Sequence, residues 1–310
     1  EKISSGKHFH NVLCLSKAKG MDITMEYAVR IQNLSKQYPD FSLNNIGLDI
    51  PKGSIMGLIG ENGSGKSTTI KAMLDIVKRD AGEVEILGMD IREREQDIKE
   101  EIGAVFSESQ FHDFLNAVQI SGIMKRIYKN WDEELFSSYL SRFALPEKKK
   151  VKEYSRGMTM KLAIAAALSH HPKLLILDEA TSGLDPVARD EILDLFFEFI
   201  EDGEHSVLIA SHITSDLDKV ADYITMIHNG SILFSEEKDQ LLEDMGILRC
   251  GEEAFAGLSG VRIVGVRRNP YGVEALIHGR DIVKRRYPEL VVDRTNIEEI
   301  MLYSVRRDRK

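Results

Sequence analysis

The sequence predicts an α/β protein built on a mainly parallel β-sheet, and three observations predict it. A glycine-rich stretch, Gly60-Glu61-Asn62-Gly63-Ser64-Gly65-Lys66-Ser67-Thr68, stands between an apolar run at residues 55–59 and a helical pattern that begins at Lys66. Two more unbroken apolar runs, residues 174–177 and 207–210, alternate with helical stretches at residues 158–169 and 187–200. Strands alternating with helices make a sheet covered on both faces, which is why its strands are apolar throughout rather than alternating. A length of 310 residues suits one large α/β domain and a smaller second one.

Taken in order, residues 27–34 and 41–50 read as strands with partial alternation, separated by the turn formers Pro39-Asp40, and form a small antiparallel unit. A helix over residues 66–77 follows the glycine-rich loop. Strands are expected at residues 82–88, bounded by glycines, and at residues 102–106. From Phe111 the pattern changes: Ile120, Ile123, Met124, Ile127, Leu135, Phe136, Tyr139 and Leu140 recur at three- and four-residue spacings, the period of a helix. Residues 111–170 are therefore read as a helical insert. Beyond residue 245 the pattern restarts, with strands at 261–266 and 273–277 around the turn Asn269-Pro270-Tyr271-Gly272 and a final helix at 296–304, a small α+β appendix. Residues 1–24 lack the charged segment and apolar stretch of a secretion signal and are read as a disordered leader or a cloning remnant. The expected units are 25–244 and 245–310.

The glycine-rich stretch fits G-x-x-x-x-G-K-[ST], and its residue types follow from phosphate chemistry. Backbone NH groups approach a phosphate closely only where side chains are missing, as at Gly60, Gly63 and Gly65. Lys66 reaches the terminal phosphates, the Ser67 hydroxyl is placed to ligate Mg²⁺, and the positive end of the following helix favours the anion. A second element, Leu174-Leu175-Ile176-Leu177-Asp178-Glu179, is an apolar strand ending in two carboxylates at the edge of the sheet where α/β folds bind ligands. Asp178 is placed to hold Mg²⁺, and Glu179 to orient or deprotonate an attacking water. Acids at a strand end are common on any soluble protein; their pairing with Lys66 upstream gives them a role. His212 follows the apolar run 207–210 and is positioned to hydrogen-bond a terminal phosphate.

Bulk properties exclude several classes. A formal net charge of −9 argues against wrapping nucleic acid, although Lys284-Arg285-Arg286 and residues 306–310 make the C-terminal end comparatively basic. No apolar run approaches the roughly 20 residues of a membrane-spanning helix, so a membrane, if involved, is crossed by another chain. Cys14 and Cys250 stand far apart without metal-ligand neighbours, as expected in a reducing compartment.

Over roughly residues 27–242 these motifs resemble the ATP-binding subunit of ATP-binding cassette (ABC) transporters. Gly60 to Thr68 matches the Walker A motif, Leu174 to Glu179 the Walker B motif, Ser182-Gly183-Leu184-Asp185 the D-loop, and His212 the switch histidine. Tyr154-Ser155-Arg156-Gly157-Met158 stands at the family's Leu-Ser-Gly-Gly-Gln signature, matching it at Ser155 and Gly157. The resemblance implies a P-loop NTPase cassette with a parallel core, an antiparallel β-subdomain and a helical subdomain. It further implies ATP and Mg²⁺ as ligands, Tyr38 stacked on adenine, and Ser155, Gly157 and Asp185 at a nucleotide held by a second subunit. At the Q-loop, Ser107 aligns with the family's glutamine, while Glu108 is a charged substitute metal ligand; the alignment leaves both open. The implied partners are an integral-membrane permease at the cytoplasmic face of the membrane and a second ATPase, identical or paralogous, with no nucleic acid. The signature and the appendix resemble bacterial ABC-2 type exporters. A soluble ABC-type ATPase acting on ribosomes or DNA is the alternative, although this chain has neither two cassettes nor a long coiled-coil insert. A P-loop kinase or GTPase is remote, since no Asn-Lys-x-Asp guanine reader is present.

Overall fold

A computed structural model describes residues 26–107 and 110–306. The leader reading, Cys14, Glu108 and the basic residues after Arg306 lie outside the described residues.

Strands β1 (Tyr27–Gln37) and β2 (Ser42–Pro51) form an antiparallel pair, and β3 (Ile55–Ile59) enters the core with all five residues buried. Helix α1 (Lys66–Met73) is shorter than residues 66–77: Asp75 adopts φ 53°, a left-handed conformation that stops the helix, and Ile76, which extended the apolar pattern, is exposed. Next come β4 (Ala81–Ile86), β5 (Met89–Asp90), α2 (Glu95–Glu101) and β6 (Ile102–Phe106). The expected strand at 82–88 belongs to the antiparallel sheet, ordered β2-β1-β4-β5, because it buries only Val84 and Ile86 and exposes Glu83 and Glu85.

The helical insert comprises α3 (Ala117–Ile127), α4 (Glu133–Arg142), a short 3₁₀ turn at Val151–Glu153 and α5 (Arg156–Leu168). Asn116 and Gln119 cap α3 reciprocally, and Asp132 caps α4. The central sheet is then completed by β7 (Leu174–Asp178), β8 (Ser206–Ser211), β9 (Tyr223–His228) and β10 (Ser231–Glu237), with α6 (Pro186–Ile200) and α7 (Thr214–Val220) between them. Its order is β10-β9-β3-β8-β7-β6, parallel except for the β9–β10 hairpin. No helix among the described residues is long and apolar enough to cross a membrane.

After α8 (Lys238–Asp244) the chain forms β11 (Met245–Cys250), α9 (Glu252–Ala256), β12 (Ile263–Asn269), β13 (Gly272–His278), α10 (Arg280–Arg286), β14 (Val291–Asp293) and α11 (Ile297–Arg306). The order β12-β13-β11-β14, all antiparallel, with a helix after the first and third strands, is the split βαβ topology of ferredoxin-like units. One face has a small core of Leu248, Ala275, Ile277, Val283 and Val292. The other face does not end at a boundary: Ile247, Leu276, Ile297, Ile300 and Tyr303 join Leu217 and Val220 of α7 in the main core.

Candidate active site

The phosphate loop leaves β3 at Gly60, whose φ of 159° and surroundings admit no side chain: a Cβ would overlap the Ile227 carbonyl oxygen and lie 2.5 Å from the Ser64 hydroxyl. The loop is held from outside by the β9–β10 turn. Gly230 NH donates to the Ser64 carbonyl (2.9 Å), and the Gly230 carbonyl accepts from Asn44 NH (2.8 Å), tying loop, hairpin and β2 together. Glu61, Asn62 and Gly63 are exposed at the tip, and Gly65 caps α1. Lys66 is buried, its ammonium donating to the carbonyls of Gly60 (2.8 Å) and Glu61 (3.3 Å). Thr68 is half-buried in the first turn of α1. The Ser64 hydroxyl is buried without a hydrogen bond.

Strand β8 lies between β3 and β7, in register Ile59 with Ser211 and Asp178 with Ala210, so three strand ends meet beside the loop. Ser67 Oγ donates to Asp178 Oδ1 at 3.0 Å. Burial pushes the Asp178 carboxyl above the usual carboxylate range and the Glu179 charge adds to this, while the Ser67 hydrogen bond, Lys66 and Lys71 oppose it. Glu179 leaves the strand in a left-handed conformation (φ 59°) pinned by its NH on the Ala210 carbonyl (2.9 Å). That turn separates its direction from that of Asp178. Its Oε1 lies 3.4 Å from Lys66 Nζ and its Oε2 2.5 Å from His212 Nδ1, which is the donor when the carboxylate is ionised. Lys66, Ser67, Asp178, Glu179 and His212 are thus one connected cluster.

The other expected residues lie apart from this cluster's hydrogen bonds. Ser155 is exposed and caps α5, its Oγ accepting from Met158 NH at 3.2 Å; Gly157 is half-buried in the first turn. The Arg156 guanidinium lies over Gly183, where a Cβ would meet its Nη1 at 3.0 Å. Asp185 caps α6, accepting from Val187 NH (3.1 Å) and Ala188 NH (3.0 Å), and the Ala188 bond leads the causes that lower its carboxyl pKa. Tyr38 sits half-buried in the β1–β2 turn with the Lys36 ammonium 5.6 Å from its ring centroid. Ser107 is exposed just past β6, and Gln110 Nε2 reaches back to the Ala104 carbonyl (3.1 Å).

The model of the ABC transporter family matches residues 43–182, which include the phosphate loop, Ser155 and both acids. The bacitracin transport ATP-binding protein BcrA of Enterococcus faecalis is 34% identical over 212 residues, covering 67% of this chain and 69% of the relative. The lantibiotic transport ATP-binding protein SrtF of Streptococcus pyogenes is 35% identical over 214 residues, covering 68% of this chain and 91% of the relative. The chain belongs to the ABC transporter family. Among solved structures, cbiO1 of Clostridium perfringens, part of the ABC transporter complex cbiONQ, is 25% identical with a TM-score of 0.60, covering 70% of this chain and 91% of that one. An ATP-binding subunit of an ABC transporter shows the same fold at 22% identity and a TM-score of 0.64, over 75% and 95% of the two chains. Within the ABC transporter family the protein is an ATP-binding subunit, and its enzyme class is ATPase.

Some parts of this ABC transporter site escape the sequence reading. The β9–β10 hairpin that fastens the phosphate loop carries its own signal, Asn229-Gly230, with φ of 46° and 71°, the pair of left-handed residues a tight hairpin turn requires. His228, at the end of β9, brings a buried imidazole within 3.9 Å of the Glu61 carboxylate. No spacing rule in the sequence points to Arg156 resting on Gly183.

Proposed function

We propose that this chain dimerises head to tail around MgATP, hydrolyses it, and drives a separately encoded integral-membrane permease, an exporter, from the cytoplasmic face of the membrane. The observation that carries the reading is the convergence of Lys66, Ser67, Asp178, Glu179 and His212 at the ends of three adjacent strands. The residues suit a magnesium triphosphate. Ser67 and Asp178 offer two hard oxygen donors 3.0 Å apart, the chemistry Mg²⁺ takes, and the loop leaves both open space at Gly63 and an unsatisfied Ser64 hydroxyl. Bound there, Mg²⁺ supplies charge neutralisation at the β- and γ-phosphates.

Lys66 binds the phosphates; in exchange it gives up Glu179, whose carboxylate is then free to take the proton of an attacking water. His212 keeps that carboxylate aimed through its Nδ1 hydrogen bond. Ser155, exposed at the start of α5, offers a hydroxyl and a positive helix end to the nucleotide of the partner subunit, with Gly157 and Asp185 beside it. ATP binds the closed dimer better than the open one, and that difference in affinity does work on the docked permease. The helical insert, with the exposed side chains of Phe114, Val118, Ile123 and Ile127, forms the docking wall. Names of relatives concerned with bacitracin and lantibiotic transport support a peptide-like cargo.

Glu179→Gln tests the assignment. Removing a general base costs about 10²- to 10⁴-fold in turnover, whereas MgATP binding is retained because Lys66, Ser67 and Asp178 remain. Phosphate release and equilibrium nucleotide binding are measured on the same preparation; turnover equal to wild type removes Glu179 from its role.

A further inference from the structure

An incomplete ion pair lies outside the cluster, between α6 and α7. Arg189, in the second turn of α6, and Asp216, in the first turn of α7, approach to 3.7 Å between Nη1 and Oδ1, too far for a hydrogen bond. Arg189 Nε and Asp216 Oδ2 have no hydrogen-bond partner, and Asp216 is 3% exposed. A second ion pair between the same helices, Lys219 with Asp190 at 2.9 Å, is complete and exposed on the surface. The Arg189–Asp216 pair is therefore close but not hydrogen-bonded, with Asp216 buried and Arg189 half-buried. A charge-assisted bond between guanidinium and carboxylate is strong, and a small relative movement of the helices brings Arg189 Nη1 onto Asp216 Oδ1.

Each end of the pair is joined to a loop of the site. Arg189 Nη2 donates to the Leu184 carbonyl (3.4 Å), inside the Ser182–Asp185 loop that also carries Arg156 over Gly183. Asp216 belongs to α7, which starts two residues after His212; Ile213 NH, between them, is tied to Ser211 Oγ at 2.9 Å. The loop proposed to meet the partner subunit and the loop that aims Glu179 thus share one buried, half-made contact. We infer that Arg189 and Asp216 are positioning residues that couple the Ser182–Asp185 loop to the His212 loop during turnover. The inference rests on the hydrolytic roles proposed for Glu179 and His212. Closing the contact draws α7 toward α6, so the aim of His212 and the placement of Leu184 and Asp185 change together.

The test uses the full chain in Arg189→Gln, Asp216→Asn, the double variant and Arg189→Lys, with steady-state MgATP turnover and equilibrium MgATP binding. Each single variant lowers kcat about tenfold while Kd stays within about twofold, and the double variant is no worse than either single, the signature of a shared unit. Arg189→Lys keeps the charge but has a single ammonium, which cannot hold the Leu184 carbonyl and Asp216 as two separate guanidinium nitrogens do; it also loses kcat, and it decides the matter if the Gln variant does not fold. A kcat within twofold of wild type in the folded variants, losses that multiply in the double variant, or a kcat that falls only in step with Kd overturns the inference. A wild-type chain with no turnover sensitive to Glu179→Gln overturns the ATPase assignment instead, a result no Arg189 or Asp216 variant produces.

Discussion

Gly60→Ala places a methyl group where the fold has no room. The new carbon overlaps the Ile227 carbonyl oxygen, which belongs to the backbone of β9, and lies 2.5 Å from Ser64 Oγ. Backbone cannot swing aside like a side chain, so the loop or the hairpin must move. Overpacking of this kind costs roughly 1–3 kcal/mol, and holding alanine at a glycine-only φ of 159° adds about 1–3 kcal/mol. The sum, about 2–6 kcal/mol, is a large share of a typical stability of about 5–15 kcal/mol. It is divided between two readouts. A loop that stays in place loses fold stability; a loop that relaxes loses the aim of its NH groups, and every 1.4 kcal/mol of lost aim weakens nucleotide binding about tenfold. Gly63→Ala is the internal control, since its φ of 80° is also left-handed but a Cβ there has nothing within 4 Å. In the ligand-free fold it carries only the conformational cost, about 1–2 kcal/mol. Denaturant unfolding and equilibrium ATP binding, measured on both variants, give the two parts. The reasoning is refuted if Gly60→Ala changes neither the unfolding midpoint nor Kd, or if Gly63→Ala lowers the ligand-free unfolding midpoint equally.

Asp178→Asn separates stability from activity. Because burial raises the Asp178 carboxyl pKa, the folded protein holds that proton more tightly than the unfolded chain does, so its ionised form subtracts stability as pH rises above the ordinary carboxylate range. At neutral pH the ligand-free Asn variant melts higher than wild type, the gap closes on acidification toward that range, and Mg²⁺-dependent turnover is lost; a lower melting point at neutral pH contradicts the sign. Gly265→Ala drives a Cβ into the Tyr303 carbonyl oxygen and lifts α11 off β12, at about 1–3 kcal/mol, and lowers the melting temperature by about 2–10 °C; an unchanged melt would show that the seat is soft.

The catalytic loop was legible because each residue type answers a local demand: glycine where a Cβ collides, lysine and serine at fixed offsets, acids where an apolar strand ends. Strands β3, β7 and β8 were legible for a similar reason, being short, apolar throughout and bounded by polar loops. The β9–β10 hairpin went unread although Asn229-Gly230 marks its turn, since β9 is buried over most of its length and its apolar run hides the strand period. The sequence pattern runs past the end of helix α1 because Ile76 continues an apolar rhythm that Asp75 interrupts in φ alone. Contacts such as Arg156 on Gly183 or Arg189 beside Asp216 join segments brought together only by the sheet order, and local pattern holds no trace of them. The division of the chain at residue 245 follows the strand pattern, yet side chains from both parts fill one interior.

That shared interior gives α7 two masters. One end follows the histidine beside Glu179, while Leu217 and Val220 sit under Ile297, Ile300 and Tyr303 of the last helix. Linkage between sites is reciprocal: if a nucleotide-dependent shift of the histidine reaches the seat of α11, whatever grips or loosens α11 acts back on the histidine with the same free energy. The C-terminal unit and the cassette thus stand on one hydrophobic floor, the one beneath α7.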